Sequence, residues 1–157
     1  MKHLEKFFVT LLIALMIICA GNVTSAASTS EMNATAVNLL NQLRMKKGIP
    51  PLKWNENSAL QSAAQLRAKE IAKNFSHTRP DGASCFTVFK QYGLRYSYCG
   101  ENIAYGTYLS PEGAMELWIN SPGHYKNMIN SDFREVGLAC YVSGDNIYWV
   151  QLFFTRQ

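Results

Sequence analysis

Two histidines lie beyond the N-terminal segment, His77 and His124, and each sits in a short polar segment away from any apolar stripe. Glu101 falls between them in the run Gly100-Glu101-Asn102. Two imidazoles and a carboxylate on separate segments have the chemistry of a zinc site with one open position. Such an ion would activate water, and the site would then belong to a cleft hydrolase, peptidase-like or envelope-modifying. Ser121 lies three residues before His124 and invites a second hydrolytic reading. A serine nucleophile needs a base that a third group holds, and the chain has no G-x-S-x-G elbow. The Ser-Pro pair at 121–122 is better accounted for as a helix start, with serine as cap and proline in the first turn. His124 then falls in the first turn, where the positive helix end favours the neutral, metal-binding imidazole. The same residues also admit a purely structural use, with His77 hydrogen-bonded to Glu101 and no ion held.

The elements that must position these residues can be read from periodicity and punctuation. Val37, Leu40 and Leu43 recur at helical spacing, and Gly48 with Pro50-Pro51 ends that helix, predicting a span of about 34–47. Asn55 to Asn57 can cap a second helix running to about Lys73, with Leu60, Ala63, Ala64 and Ile71 as its buried stripe. A loop, NFSHTRPDG, carries His77. Residues 84–92 predict a short helix, and Ser110-Pro111-Glu112 opens another with Met115 and Trp118 inward. The end reads as a hairpin, EVGLACYVS and IYWVQLFF around Ser143-Gly144-Asp145-Asn146. Helices first and paired strands last predict an α+β fold, an antiparallel sheet flanked by helices in an α-β-α sandwich.

The first residues have the order of an export signal. Lys2 and Lys6 precede the apolar run FFVTLLIALMIICA, and the small residues VTSAAS follow it. The run is short for a membrane span, which needs about 20 residues, though an uncleaved anchor is the alternative. We expect a signal peptide over 1–26, a short linker over 27–33, one domain over 34–157, and a secreted, extracellular product without a transmembrane span. The full chain carries a net charge of +4. The leader removes two lysines and one glutamate, which leaves +3. No basic stripe with interleaved aromatics accompanies that charge, so nucleic acid is not an expected partner. Cys85, Cys99 and Cys140 survive processing, and export permits a disulfide. Three pairings exist. Cys85–Cys99 closes a short loop and is favoured, with Cys99–Cys140 as the alternative. Tyr92, Tyr96, Tyr98, Tyr105 and Tyr108 form a local aromatic cluster, fit for half-buried packing or for the rim of a binding cleft.

Four segments taken in order resemble the CAP/SCP superfamily, the sperm-coating, antigen-5 and pathogenesis-related proteins. They are FSHTRPDG (75–82), GENIAYG (100–106), LWINSPGHYKNMIN (117–130), and EVGLACY (135–141) with YWVQLF (148–153). The opening GIPPLKWN matches too, and the compact SPGH segment resembles the short bacterial branch. The resemblance implies an α-β-α sandwich with a shallow cleft over the sheet. It also implies a site of two histidines and two glutamates that could hold a divalent metal such as zinc. His77, Glu101 and His124 match three of those positions, and the fourth falls near Ser121, which is no carboxylate. Glu116 on the preceding helix is turned off that face. The expected metal set is therefore His77, His124 and Glu101, weakly binding, and the expected cleft is His77, Glu101, Ser121 and His124. The resemblance makes an extracellular binding or interaction module the first expectation, its ligand a lipid, glycan, peptide or envelope component.

Overall fold

The structure is a computed structural model that describes residues 27–157, so the expected leader over 1–26 lies outside the described residues. Helix α1 (Thr29–Lys46) opens with a capping box: Ser28 accepts from the Glu31 amide while Glu31 accepts from the Ser28 amide. Because of that box, α1 begins five residues earlier than expected. The segment read as a linker, 27–33, is mostly its first turns. Helix α2 (Ala59–Ile71) is capped by Ser58, one residue beyond the asparagines expected to do so. Three short helices follow, α3 (Thr87–Gln91), α4 (Pro111–Ile119) and α5 (Pro122–Met128). Ser110 caps α4 as its sequence predicts, its hydroxyl accepting from the Gly113 amide at 3.1 Å.

The three strands are β1 (Tyr96–Thr107), β2 (Glu135–Ser143) and β3 (Asn146–Arg156), all antiparallel in the order β1-β3-β2. The expected hairpin is β2–β3, turned at Gly144-Asp145 with Gly144 at φ +58. Strand β1 is the element the sequence hid. Its glycines and polar residues show no clear alternation, and no element is predicted there, yet it runs for twelve residues beside β3.

The sheet is the middle layer. Ala104, Trp149, Leu138 and Phe153 face α1, α4 and α5, where they meet Leu40, Met115 and Trp118. Ile103, Val150, Ala139 and Leu152 face α2 and α3, where they meet Leu60, Ala64 and Phe89. Helix α2 comes unusually close to the sheet at Gly137, where a Cβ would stand 2.4 Å from the Leu60 carbonyl oxygen. Successive strand residues point to opposite faces. Glu101 and Asn102 therefore project into different layers, Glu101 toward α2 and Asn102 toward α5.

Candidate binding cleft

Glu101 is the fixed point of the site. Its side chain is 1% exposed and receives a two-pronged clasp from Arg67 of α2, which is fully buried. Arg67 Nε donates to Glu101 Oε2 at 2.8 Å and its Nη2 to Oε1 at 3.1 Å. A carboxylate gripped this way is held by charge and geometry together. Burial alone would raise the Glu101 pKa, but hydrogen bonds from His77 and Arg67, with the Arg67 charge, outweigh it and hold the carboxyl below its ordinary range. Arg67 also donates to Glu70 at 2.7 Å, and Arg79 closes onto Glu70 from the His77 loop at 2.6 Å. Arg67 was missed in the sequence, although Leu60, Ala64, Arg67 and Ile71 share helical spacing. An arginine on a buried stripe was the available signal.

The loop carrying His77 is a miniature hairpin. Arg79 N–H donates to Ala83 O at 2.8 Å, Thr78 bridges Ser84, and Cys85 N–H donates to His77 O at 2.9 Å. Gly82 supplies the turn with φ +83. The loop is tied down from outside as well, because Ser76 O accepts from Arg67 at 3.0 Å and Arg79 reaches Gln91 at 2.9 Å. His77 Nδ1 lies 2.8 Å from Glu101 Oε1, and since the carboxylate can only accept, Nδ1 carries the hydrogen. The ring is 55% exposed, with its other nitrogen turned to solvent.

His124 comes from the other side of β1. Asn102 fixes its backbone by donating to His124 O at 3.0 Å and to Gln151 Oε1 at 3.0 Å, while Asn127 donates to Asn102 Oδ1 at 2.9 Å. Burial lowers the pKa of His124 first and the neighbouring His77 lowers it further, so the ring favours its neutral form. Ser121 stands at the start of α5, but its side chain makes no capping bond, contrary to expectation. The two faces meet along the outer edge of β1 in a hollow of about 280 Å³. Phe75, Ile103, Tyr105, Trp118, Ser121 and His124 are among the residues lining it. Phe75 leans on Tyr105 at 4.7 Å, and Tyr105 stacks on Tyr148 at 5.4 Å. Glu116 lines a different hollow beside Leu39 and Met115, as its helical phase predicts.

The four expected residues are thus brought to one edge in two pairs. His77 and Glu101 touch, while Ser121 and His124 line the adjoining hollow. Both Glu101 oxygens are engaged by Arg67 and His77. Among the described residues, the metal-binding atoms that lie within 4.8 Å of one another belong to His77, Cys85 and Glu101, and His124 stands outside that group. The Cys85–Cys99 bridge is not formed, and Cys85, Cys99 and Cys140 are free thiols. The loop hairpin turns Cys85 toward Glu101, whose charge, after burial, helps push the thiol pKa up to about 12. Cys140 lies in β2 as a buried, small, largely apolar residue.

A profile of the cysteine-rich secretory protein family, CAP, matches residues 37–153, which takes in every segment of the cleft. The chain belongs to the CAP family. An uncharacterised Bacillus subtilis protein, YkwD, is 35% identical over 137 residues, covering 86% of this chain and 52% of its own length. The chain therefore spans about half of that relative. Among solved CAP-like structures, an extracellular SCP-domain protein of Bacillus anthracis superposes with a TM-score of 0.70 at 23% identity, over 85% of this chain and 45% of that one. An outer surface protein of Borrelia burgdorferi reaches 0.74 at 22% identity, over 83% of this chain and 97% of that one. Both show the fold. Within the described residues, no helix is long and apolar enough to cross a membrane.

Proposed function

We propose that this CAP protein is exported and works outside the cell as a binding module whose cleft takes an extended peptide segment against the free edge of β1. The observation that carries the reading is the direction of the β1 backbone. Ser143 and Asn146 flank a two-residue turn and form a hydrogen-bonded pair, so the neighbours Asp145 and Ile147 turn their polar groups toward β1. Tyr108 N–H accordingly donates to Asp145 O at 2.7 Å. Alternation then assigns Gly106, Ala104 and Asn102 to the ladder, and turns the amides and carbonyls of Ile103 and Tyr105 outward. Among the described residues no protein group bonds them, and both residues line the hollow. An unpaired strand edge is a template for another strand, and the apolar walls offer seats for alternate side chains. Neither Ser121 nor the His124 ring is hydrogen-bonded to a third group among the described residues, which supports binding over a serine-nucleophile reading of the hollow. The apolar leader supports export, as does the likeness to a protein described as extracellular.

The test uses a pool of short synthetic peptides with Tyr105→Pro and Tyr105→Ala. Proline deletes one outward N–H while sparing the ladder, and alanine deletes only the ring. The expected result is retention of intact peptides by wild type, weakened in Tyr105→Ala and abolished in Tyr105→Pro. Cleaved peptides in the eluate, or equal retention by both variants, would overturn the reading. N-terminal sequencing of protein from culture medium tests export, with a start near Ala27 expected and a retained Met1 on cell-associated protein contradicting it.

A further inference from the structure

We propose that the hollow between α3 and the start of β1 is a second binding site, one that takes an acidic sugar unit of a glycan chain. Its volume is about 420 Å³, within the range of small-ligand sites. Ser84, Phe86, Lys90, Leu94, Arg95 and Tyr96 are among its walls. It is distinct from the cleft, because Tyr105 lies nine residues along β1 from Tyr96, roughly 30 Å of extended strand. The proposal therefore stands whether or not the free edge of β1 takes a peptide.

Charge is the first feature. Lys90 and Arg95 both line this hollow, and no acidic side chain does. Neither cation is ion-paired among the described residues, unlike Arg67, Arg79 and Arg156. Arg95 is held at two points by the end of β3. Its Nε donates to Gln157 Oε1 at 3.1 Å, and its carbonyl accepts from the Gln157 amide at 3.1 Å. Both Nη groups are left without a protein partner among the described residues, a planar fork for a carboxylate or phosphate.

The walls are the second feature. Tyr96 is 40% exposed, yet its ring is steadied by an edge contact with the buried Phe89 at 5.3 Å. Phe86 stands beside it at 6.4 Å, tilted by 56°. Leu94, 7% exposed, adds apolar surface. A sugar ring has an apolar C–H face that packs on an aromatic ring, and hydroxyls around its edge for the Ser84 hydroxyl and the Gln157 side-chain amide. Two rings tilted by 56° leave no parallel slot for a flat nucleobase, which argues against a nucleic-acid strand. The hollow is open to solvent, so an internal unit of a chain can enter sideways, whereas a lipid tail would stay wet.

Calorimetry on the full chain tests it, with a tetrasaccharide of alternating glucuronate and N-acetylglucosamine as the acidic probe and cellotetraose as the neutral one. Wild type should bind the acidic probe at least about tenfold more tightly, and added salt should narrow that gap. Lys90→Gln and Arg95→Gln should each cost about tenfold toward the acidic probe. Arg95→Lys should recover only part of that loss, because the planar fork is gone. Tyr96→Ala should weaken binding of both probes. NMR titration of wild type guards against a misfolded variant, since amide shifts should centre on residues 84–96 and Gln157. Lys53→Gln, which alters a cation outside the hollow, should bind as wild type does. Equal affinity for the two probes would overturn the proposal. So would tighter binding of a short single-stranded oligothymidylate, a loss in Lys53→Gln equal to that in Lys90→Gln, or shifts centred on Ile103 to Tyr105.

Discussion

Glu101 and Asn102 are adjacent, yet they anchor two polar networks of different kinds on opposite faces of β1. Toward α2 the network is ionic: Arg67, Glu70, Arg79 and Glu101, with His77 at its end. Toward α5 it is neutral: Asn102, Gln151 and Asn127, closing on the His124 carbonyl. The ionic side orients a ring and leaves its far nitrogen in solvent. The amide side orients a backbone segment and leaves the His124 ring to the hollow. A buried charge is tolerated only while it is paired, whereas a buried amide needs only hydrogen bonds. The two faces should therefore fail differently, and the first three predictions separate them.

The largest effect is expected from Glu101→Gln. It removes the negative partner of a fully buried guanidinium while keeping the shape, and breaking a buried pair from one side costs about 3 to 5 kcal/mol. Chemical denaturation should show that loss as a lower midpoint with an unchanged slope. A loss below about 1 kcal/mol would place this pair with exposed ones and erase the contrast. Next comes acid. Both Glu101 and Glu70 titrate below the ordinary carboxylate value of 4.5 in the folded chain, because their arginine and histidine partners outweigh burial. The stability each contributes is complete above that value and is lost as pH falls through the lower folded pKa. Wild type should weaken steeply in that window, and Glu101→Gln should weaken less steeply. Parallel curves for the two proteins would remove Glu101 from the acid response.

The amide side should respond more mildly. Asn102→Ala leaves the Gln151 acceptor, the Asn127 donor and the His124 carbonyl each short of a bond, at a cost of about 1 to 3 kcal/mol. Amide exchange near His124 should quicken while that of the His77 loop stays unchanged. Equal quickening in both segments would mean that the faces are one coupled unit.

What could be read from the sequence follows the same division. Helices α2 and α4 and the β2–β3 hairpin announce themselves through caps, turn residues and periodicity, all of which act over a few residues. The convergence of His77 with Glu101 was legible because both residues sit in segments of strong resemblance. Strand β1 was not legible. Its ladder depends on β3, some fifty residues away, and its glycines and polar residues mask alternation. Arg67 and Cys85 escaped for another reason: one sits among alanines on an ordinary helix stripe, and the other looked like half of a disulfide. Their roles depend on the Glu101 side chain lying between them, a contact that no local pattern encodes.

The smallest expected effect is at Ser121, where motif and geometry part. A Ser-Pro helix start suggests a cap, and losing a true cap costs about 1 kcal/mol. Here the hydroxyl makes no bond to the amides of α5 and instead lines the hollow. Ser121→Ala should therefore leave stability within about 0.5 kcal/mol of wild type, as for a surface substitution with no special feature. Ser110→Ala is the internal control, because Ser110 does accept from the Gly113 amide at 3.1 Å and should show the full cap cost. The pair also bears on the cleft. If Ser121 serves only the hollow, Ser121→Ala should alter peptide retention while Ser110→Ala leaves it alone. Equal destabilisation in both variants would return Ser121 to the role its motif suggested.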